Sequence, residues 1–276
     1  MNYHFLTENK GEYMKNAVTK GLILLFTAIL GTSIVFAETK GVKKKRMLAH
    51  EYGNIVINNL SEKNNIEPVV FNHWLHRAKY TCRLCHVDLA FAMTANGTGI
   101  KEDDNKKGFY CGACHNEKEA FGPVGKSLMG KETKNCELCH SYGKKVAFEK
   151  DFYKFTEGLP RERFGNGIDW EMAENEGKIK LKDYMEGASI KRKSLNIPLD
   201  SEVKSKVSGM PDIIFSHKKH AVWNGCELCH PDIFGVTKGS TEYSMADIFA
   251  GKYCGLCHDK VSFPNLDCQR CHSKAV

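Results

Sequence analysis

All twelve cysteines of the chain fall in six CxxCH motifs, with none left over: Cys82/Cys85, Cys111/Cys114, Cys136/Cys139, Cys226/Cys229, Cys254/Cys257 and Cys268/Cys271. In such a motif the two thiols can form thioethers to a porphyrin. The His directly after the second Cys then reaches the iron from the same side. The pattern implies six covalently held c-type haems, with His86, His115, His140, His230, His258 and His272 as proximal ligands. Other uses of paired cysteines fit less well. A zinc ribbon needs no His after every pair, a thioredoxin-like site needs one motif rather than six, and disulfides leave the histidines unexplained.

A haem iron has two faces, and the chain offers candidates for the second. The stretches Phe71–His86 (FNHWLHRAKYTCRLCH) and Phe215–His230 (FSHKKHAVWNGCELCH) match at seven of sixteen positions. Six of the seven are the Phe, the two upstream His, the two Cys and the closing His. His73/His76 and His217/His220 are each three residues apart, on one face of a helical turn. A lone His on an apolar face is usually a satisfied core residue. The same pair before the same motif in both halves reads instead as distal ligands. Of the other histidines, His4 lies in the leader and the role of His50 stays open.

The scaffold that must position these residues is itself repeated. The offset between halves is 144 residues for the His pair and first motif. It is 143 for the second, where YCGACH at Tyr110 matches YCGLCH at Tyr253, and 132 for the third. Duplication of a three-haem unit with one later deletion leaves that record. The expected organisation is a lead-in at 38–70, module 1 at 71–140, a connector at 141–211 and module 2 at 212–276. The expected fold is small, cofactor-dominated and mostly irregular. It has short α-helices near the motifs and at most one short hairpin per module, with the haems supplying apolar mass. The lead-in holds a possible strand at Asn54–Asn59. The connector lacks Cys and His and is rich in Lys and Glu. Asp169 is placed to cap a helix from Trp170 to Glu176 that stops at Gly177, and a second helix is expected from Lys180 to Glu186. With few apolar residues the connector has no core of its own. It reads as cover for haem edges or, alternatively, as a partner-docking insert.

Residues 1–37 read as a secretory signal peptide whose true start is Met14. Lys15 and Lys20 precede an apolar run from Gly21, and Val35-Phe36-Ala37 forms a small-residue cleavage site. The run is marginal for a membrane anchor. No other stretch is apolar enough to span a bilayer, so the mature chain is expected to have no transmembrane span. The formal charge of +7 would invite a nucleic-acid partner. Haem propionates offset it, and nothing else in the chain points to nucleic acid.

FxHxxH followed by three CxxCH motifs resembles the triheme cytochrome c7 family, relatives of the tetraheme cytochromes c3, and both halves carry it. The resemblance implies that His73 faces the His86 haem and His76 the His115 haem. Likewise, His217 would face the His230 haem and His220 the His258 haem. The family places a His before the second motif for the third haem, and here the sequence departs. Met245 is the candidate for the His272 haem, as in some c7-like proteins. The aligned residue in module 1 is Glu102. Met93, His50 or an open position are the alternatives at the His140 haem. The function implied is an exported six-haem electron carrier in the periplasm or at the cell surface. It would link a quinol-side donor to an outer-membrane or extracellular acceptor in anaerobic respiration. The alternative is a reductase of a small oxidised substrate at an open haem.

Overall fold

The computed structural model describes Lys20 and residues 47–126, 132–193 and 196–274. The leader otherwise lies outside the described residues. The chain divides into two units, 1–46 and 47–276, and every element named here belongs to the second. Among the described residues no helix is long and apolar enough to cross a membrane. Short helices and two-stranded hairpins separated by irregular chain match the expected architecture.

Module 1 begins earlier in the chain than its first motif. β1 (Asn54–Ile57) pairs antiparallel with β2 (Val69–Asn72) in the register Ile55↔Phe71, and β2 runs directly into α1 (His73–Arg77). Asn72 caps α1 by accepting from Leu75 N, which satisfies a backbone donor that the helix itself cannot. A π-helix at Leu84–Asp88 carries His86. α2 (Glu102–Lys106) then ends at Gly108, with φ +83°. There Phe109 N donates to Asp104 O and Gly108 N to Asn105 O. This pair of bonds is the Schellman arrangement, which favours glycine for its left-handed backbone. A second hairpin, β3 (Val124–Lys126) with β4 (Glu132–Lys134), leads to α3 (Cys136–Cys139).

The connector holds α4 (Phe148–Thr156) and α5 (Trp170–Asn175). Asp169 caps α5 as expected, accepting from Met172 N. The helix expected over 180–186 does not form. Lys182 instead makes a parallel bridge to Tyr80, with Lys182 N donating to Lys79 O at 2.7 Å and Thr81 N to Lys182 O at 3.1 Å. The alternation Ile179, Leu181 explains the outcome, since period two is a strand signal and Ile179 is buried. A third hairpin, β5 (Ser201–Val203) with β6 (Ile213–Phe215), opens module 2. It is followed by α6 (His217–Asn224), α7 (Met245–Phe249) and α8 (Cys268–Cys271). Three hairpins, two of them in or against module 1, exceed the expected number.

The connector also packs directly on module 1. One hydrophobic cluster joins Trp74 of α1 and Ala78, which caps it, to Phe152, Ile168, Trp170, Ala173 and Ile179 of the connector. The connector is apolar enough to build a core when module 1 lends it one helix face.

Candidate functional site

The first ligand set grows out of the two hairpins. In module 1 the pairing of Ile55 with Phe71 brings Gly53 opposite His73, and His73 Nδ1 lies 2.7 Å from Gly53 O. In module 2 Ser201 pairs with Phe215, and His217 Nδ1 lies 3.0 Å from Leu199 O. The second His of each pair folds back on its helix cap. His76 Nδ1 is 2.8 Å from Asn72 O, and His220 Nδ1 is 2.9 Å from Ser216 O.

The histidines that close the motifs are held in the same way. Nδ1 of His86, His115, His230 and His258 meets the carbonyl of Phe91, Phe121, Phe234 and Phe263 at 2.9, 2.8, 2.7 and 3.1 Å. His140 and His272 reach back to Glu67 O at 3.0 Å and Pro211 O at 2.7 Å. Each of these ten imidazoles donates Nδ1–H to a backbone carbonyl, which fixes the tautomer and leaves the Nε2 lone pair available. That is the arrangement of metal-ligating histidine. Burial pushes His73, His76 and His258 down to about 4. It also lowers His86 and His220, so these rings stay neutral, as a ligand must be.

Three pairs of rings share one spacing, with interplanar angles of 7°, 46° and 60°. The centroids of His73 and His86, His76 and His115, and His220 and His258 are each 6.4 Å apart. Two imidazoles bound through Nε2 at about 2 Å on opposite faces of one metal put their centroids about 6 Å apart. The spacing fits an iron between the rings. Among the described residues the fourth pair, His217 and His230, does not stand at this ring spacing. All twelve cysteines are unbridged. Among the described residues no three His, Cys, Asp or Glu side chains converge into a metal cage of their own.

The model of the family described as cytochrome c7 and related cytochrome c matches residues 69–141 and 213–273. A solved c7-type three-heme cytochrome domain is 36% identical over 29% of this chain and 99% of that domain, with a TM-score of 0.26. The chain belongs to the cytochrome c7 family. Its six CxxCH motifs are the attachment sites of six c-type haems. This cytochrome c7 is also similar to the C-terminal hexaheme fragment of GSU1996, with 24% identity over 80% of this chain and 98% of that one and a TM-score of 0.25. The dodecaheme cytochrome c GSU1996 is 25% identical over 80% of this chain and 73% of that one, with a TM-score of 0.26. No curated protein matches the sequence.

The remaining candidates are placed as follows. Met245 is the first residue of α7, half-buried behind the Ser244 cap, and Glu102 is the first residue of α2. The two helices correspond residue for residue at the 143 offset. Glu102 is exposed, pairs with Lys106 at 2.7 Å, and has its carboxyl lowered first by Lys106, with His140 among the smaller influences. Met93 is half-buried in the loop after Phe91. His50 is buried in a 3-10 turn, edge-on to Tyr153 of α4 at 6.4 Å. Its Nδ1 has no partner, which sets it apart from the ten above.

Sequence reasoning missed the carbonyl acceptors. A signal was present, because a Phe follows His86, His115, His230 and His258 by four to six residues. It also missed Arg192, whose guanidinium pairs with Asp88 at 2.6 Å and Glu227 at 2.8 Å.

Proposed function

We propose that this cytochrome c7 is an exported electron carrier. In this reading His86, His115, His140, His230, His258 and His272 are proximal ligands, and His73, His76, His217 and His220 are distal ligands. Met245 is the distal ligand of the His272 haem. The observation that carries the assignment is the set of ten Nδ1–carbonyl bonds together with three ring pairs at 6.4 Å. When bound, each haem supplies reversible one-electron Fe(III)/Fe(II) chemistry. The chain's contribution is to hold each Nε2 on the iron in both states, so little rearranges as charge passes. Bis-His ligation favours low potentials, and a Met thioether raises one of them.

The leader Met14–Ala37 supports export to the periplasm or cell surface. The family resemblance supports a respiratory role between a quinol-side donor and an outer-membrane or extracellular acceptor. Glu102 favours a second reading, a reductase at the Cys136/Cys139 site, because a carboxylate stands there in place of the Met of module 2. EPR of the oxidised protein separates the two. Low-spin signals alone support the carrier. A high-spin fraction with a spectrum that changes on adding nitrite or cyanide supports the reductase.

A further inference from the structure

Among the described residues the two modules do not meet where the chain joins them. Following the sequence, the Cys136/Cys139 site of module 1 precedes the Cys226/Cys229 site of module 2. In the structure it is the first site of module 1 that packs against module 2. A Cβ placed on Gly225, just before Cys226, would strike the Arg83 side chain inside the Cys82–Cys85 loop, so the two motif loops lie in direct contact. Arg192 pairs with Asp88 beyond the first loop and with Glu227 inside the other. A Cβ on Gly53 would likewise stand 3.7 Å from Lys260 O and 3.8 Å from Val261 Cα. Gly53 is the residue whose carbonyl holds His73, and Lys260–Val261 directly follows His258. Tyr52 OH donates to Ser262 O at the same seam.

Behind this junction sits Arg77, the last residue of α1. Its guanidinium lies 5.2 Å from the Trp170 ring of the connector and 5.3 Å from the Trp223 ring of module 2. Trp223 Nε1 in turn donates to Glu174 Oε2 at 2.5 Å. One cation between two indoles therefore joins α1, α5 and α6. Stacking of this kind, out of water, is stronger than at a surface.

We propose that electrons cross between the modules at the Cys82/Cys85 haem, toward the Cys226/Cys229 and Cys254/Cys257 haems, and that Arg77 is the residue positioning this crossing. One electron moves, oxidising one haem and reducing the next, with no bond made or broken. The Cys136/Cys139 and Cys268/Cys271 haems are then the two ends of the path.

The inference rests on the electron-carrier reading and is tested separately from it, in the full holoprotein. Haem-methyl NMR through a stepwise redox titration of the unmodified protein reports which haems shift one another's potentials. Coupling of the His86 haem to the His230 and His258 haems is expected. Coupling across the modules that instead joins the His140 and His230 haems would overturn the proposal. Flash photoreduction then follows equilibration between modules. Arg77→Leu is expected to slow it at least tenfold while the low-spin EPR signals and the potentials within each module stay as they were. Arg77→Lys, which keeps the cation, is expected to recover most of the rate. An unchanged rate in Arg77→Leu overturns the positioning role. High-spin EPR signals would count against the carrier reading and leave the neighbour pattern standing.

Discussion

Helices α1 and α6 hold the same place in their modules and hold their histidine pairs by matching backbone carbonyls, yet their outer faces have opposite characters. Trp74 of α1 and Ala78, which caps it, are 1% and 5% exposed. Their counterparts at the 144 offset are Lys218 and Val222 of α6, and Val222 is 47% exposed. The inward residues Phe71, His73 and His76 recur unchanged as Phe215, His217 and His220. Ring contacts repeat as well, with Phe71 4.3 Å from His76 and Phe215 4.4 Å from His220. Duplicated chain keeps the histidine-bearing face, while the outward face follows whatever packs on it. In module 1 that is the connector, through Phe152, Ile168 and Trp170.

The largest expected effect breaks this asymmetry. Trp74→Ala removes the centre of the cluster and is expected to cost about 3–5 kcal/mol, whereas Lys218→Ala stays within about 0.5 kcal/mol. Denaturant unfolding of the holoprotein measures both. Trp74 Nε1 has no hydrogen-bond partner, so Trp74→Phe gives up no bond and should retain most of the stability. Equal losses at Trp74 and Lys218 would mean that the connector core contributes nothing particular to module 1.

The legibility of the chain divides along the same line. The haem sites were plain in the sequence because covalent attachment demands a contiguous motif, and the duplication showed twice what each site requires. The Asp169 cap was legible for a similar reason, since capping is local. The packing of the connector was not legible because its partners are non-local. Phe148, Phe152 and Phe155 recur at helical spacing in α4, but among so many Lys and Glu they look like a polar stretch until Trp74 is known to face them. The strand-like pairing of Lys182 with Tyr80 likewise depends on a partner a hundred residues away. Nor could spacing alone reveal that the first motif of module 1, rather than its third, meets module 2.

A second test asks where the modules remain the same. Gly112 and Gly255, the third residues of the YCGxCH stretches, both lie under a helix carbonyl. A Cβ on either would overlap Asn105 O or Ile248 O, respectively. These glycines serve the approach of α2 and α7 to the motif rather than the haem itself. Tyr110 and Tyr253 beside them share a left-handed backbone at φ 48° and 53°, a further sign that the segment is copied intact. Gly112→Ala and Gly255→Ala are each expected to cost about 1–3 kcal/mol by overpacking. Because the overlap is the same, the two losses should agree closely. A loss in one module only would show that the two turns have drifted apart.

Exchanging the divergent pair sharpens the comparison with little effect on folding, because Glu102 is exposed and Met245 half-buried at the start of matching helices. Met245→Glu should remove the highest potential from the redox titration of module 2 and add a high-spin component to its EPR spectrum. Glu102→Met should raise the potential of the Cys136/Cys139 haem, as a thioether ligand does. If neither exchange moves a potential, α2 and α7 do not present their first residues to the third haem.

The smallest expected effect concerns the remaining outward position. Lys219 of α6 pairs with Glu171 of α5 at 2.9 Å, with side chains 59% and 32% exposed. Its counterpart Leu75 packs against the connector cluster. An exposed pair of this kind contributes about 0–1 kcal/mol, so Lys219→Ala should lower stability only slightly. High salt should erase that difference by screening the charges. Leu75→Ala should cost more and keep its cost in salt, because burial of apolar surface is not screened. The connector would then grip module 1 by apolar contact and module 2 largely by charge and by the Arg77 sandwich. If Lys219→Ala proved as costly as Leu75→Ala and equally indifferent to salt, the two grips would not differ in kind.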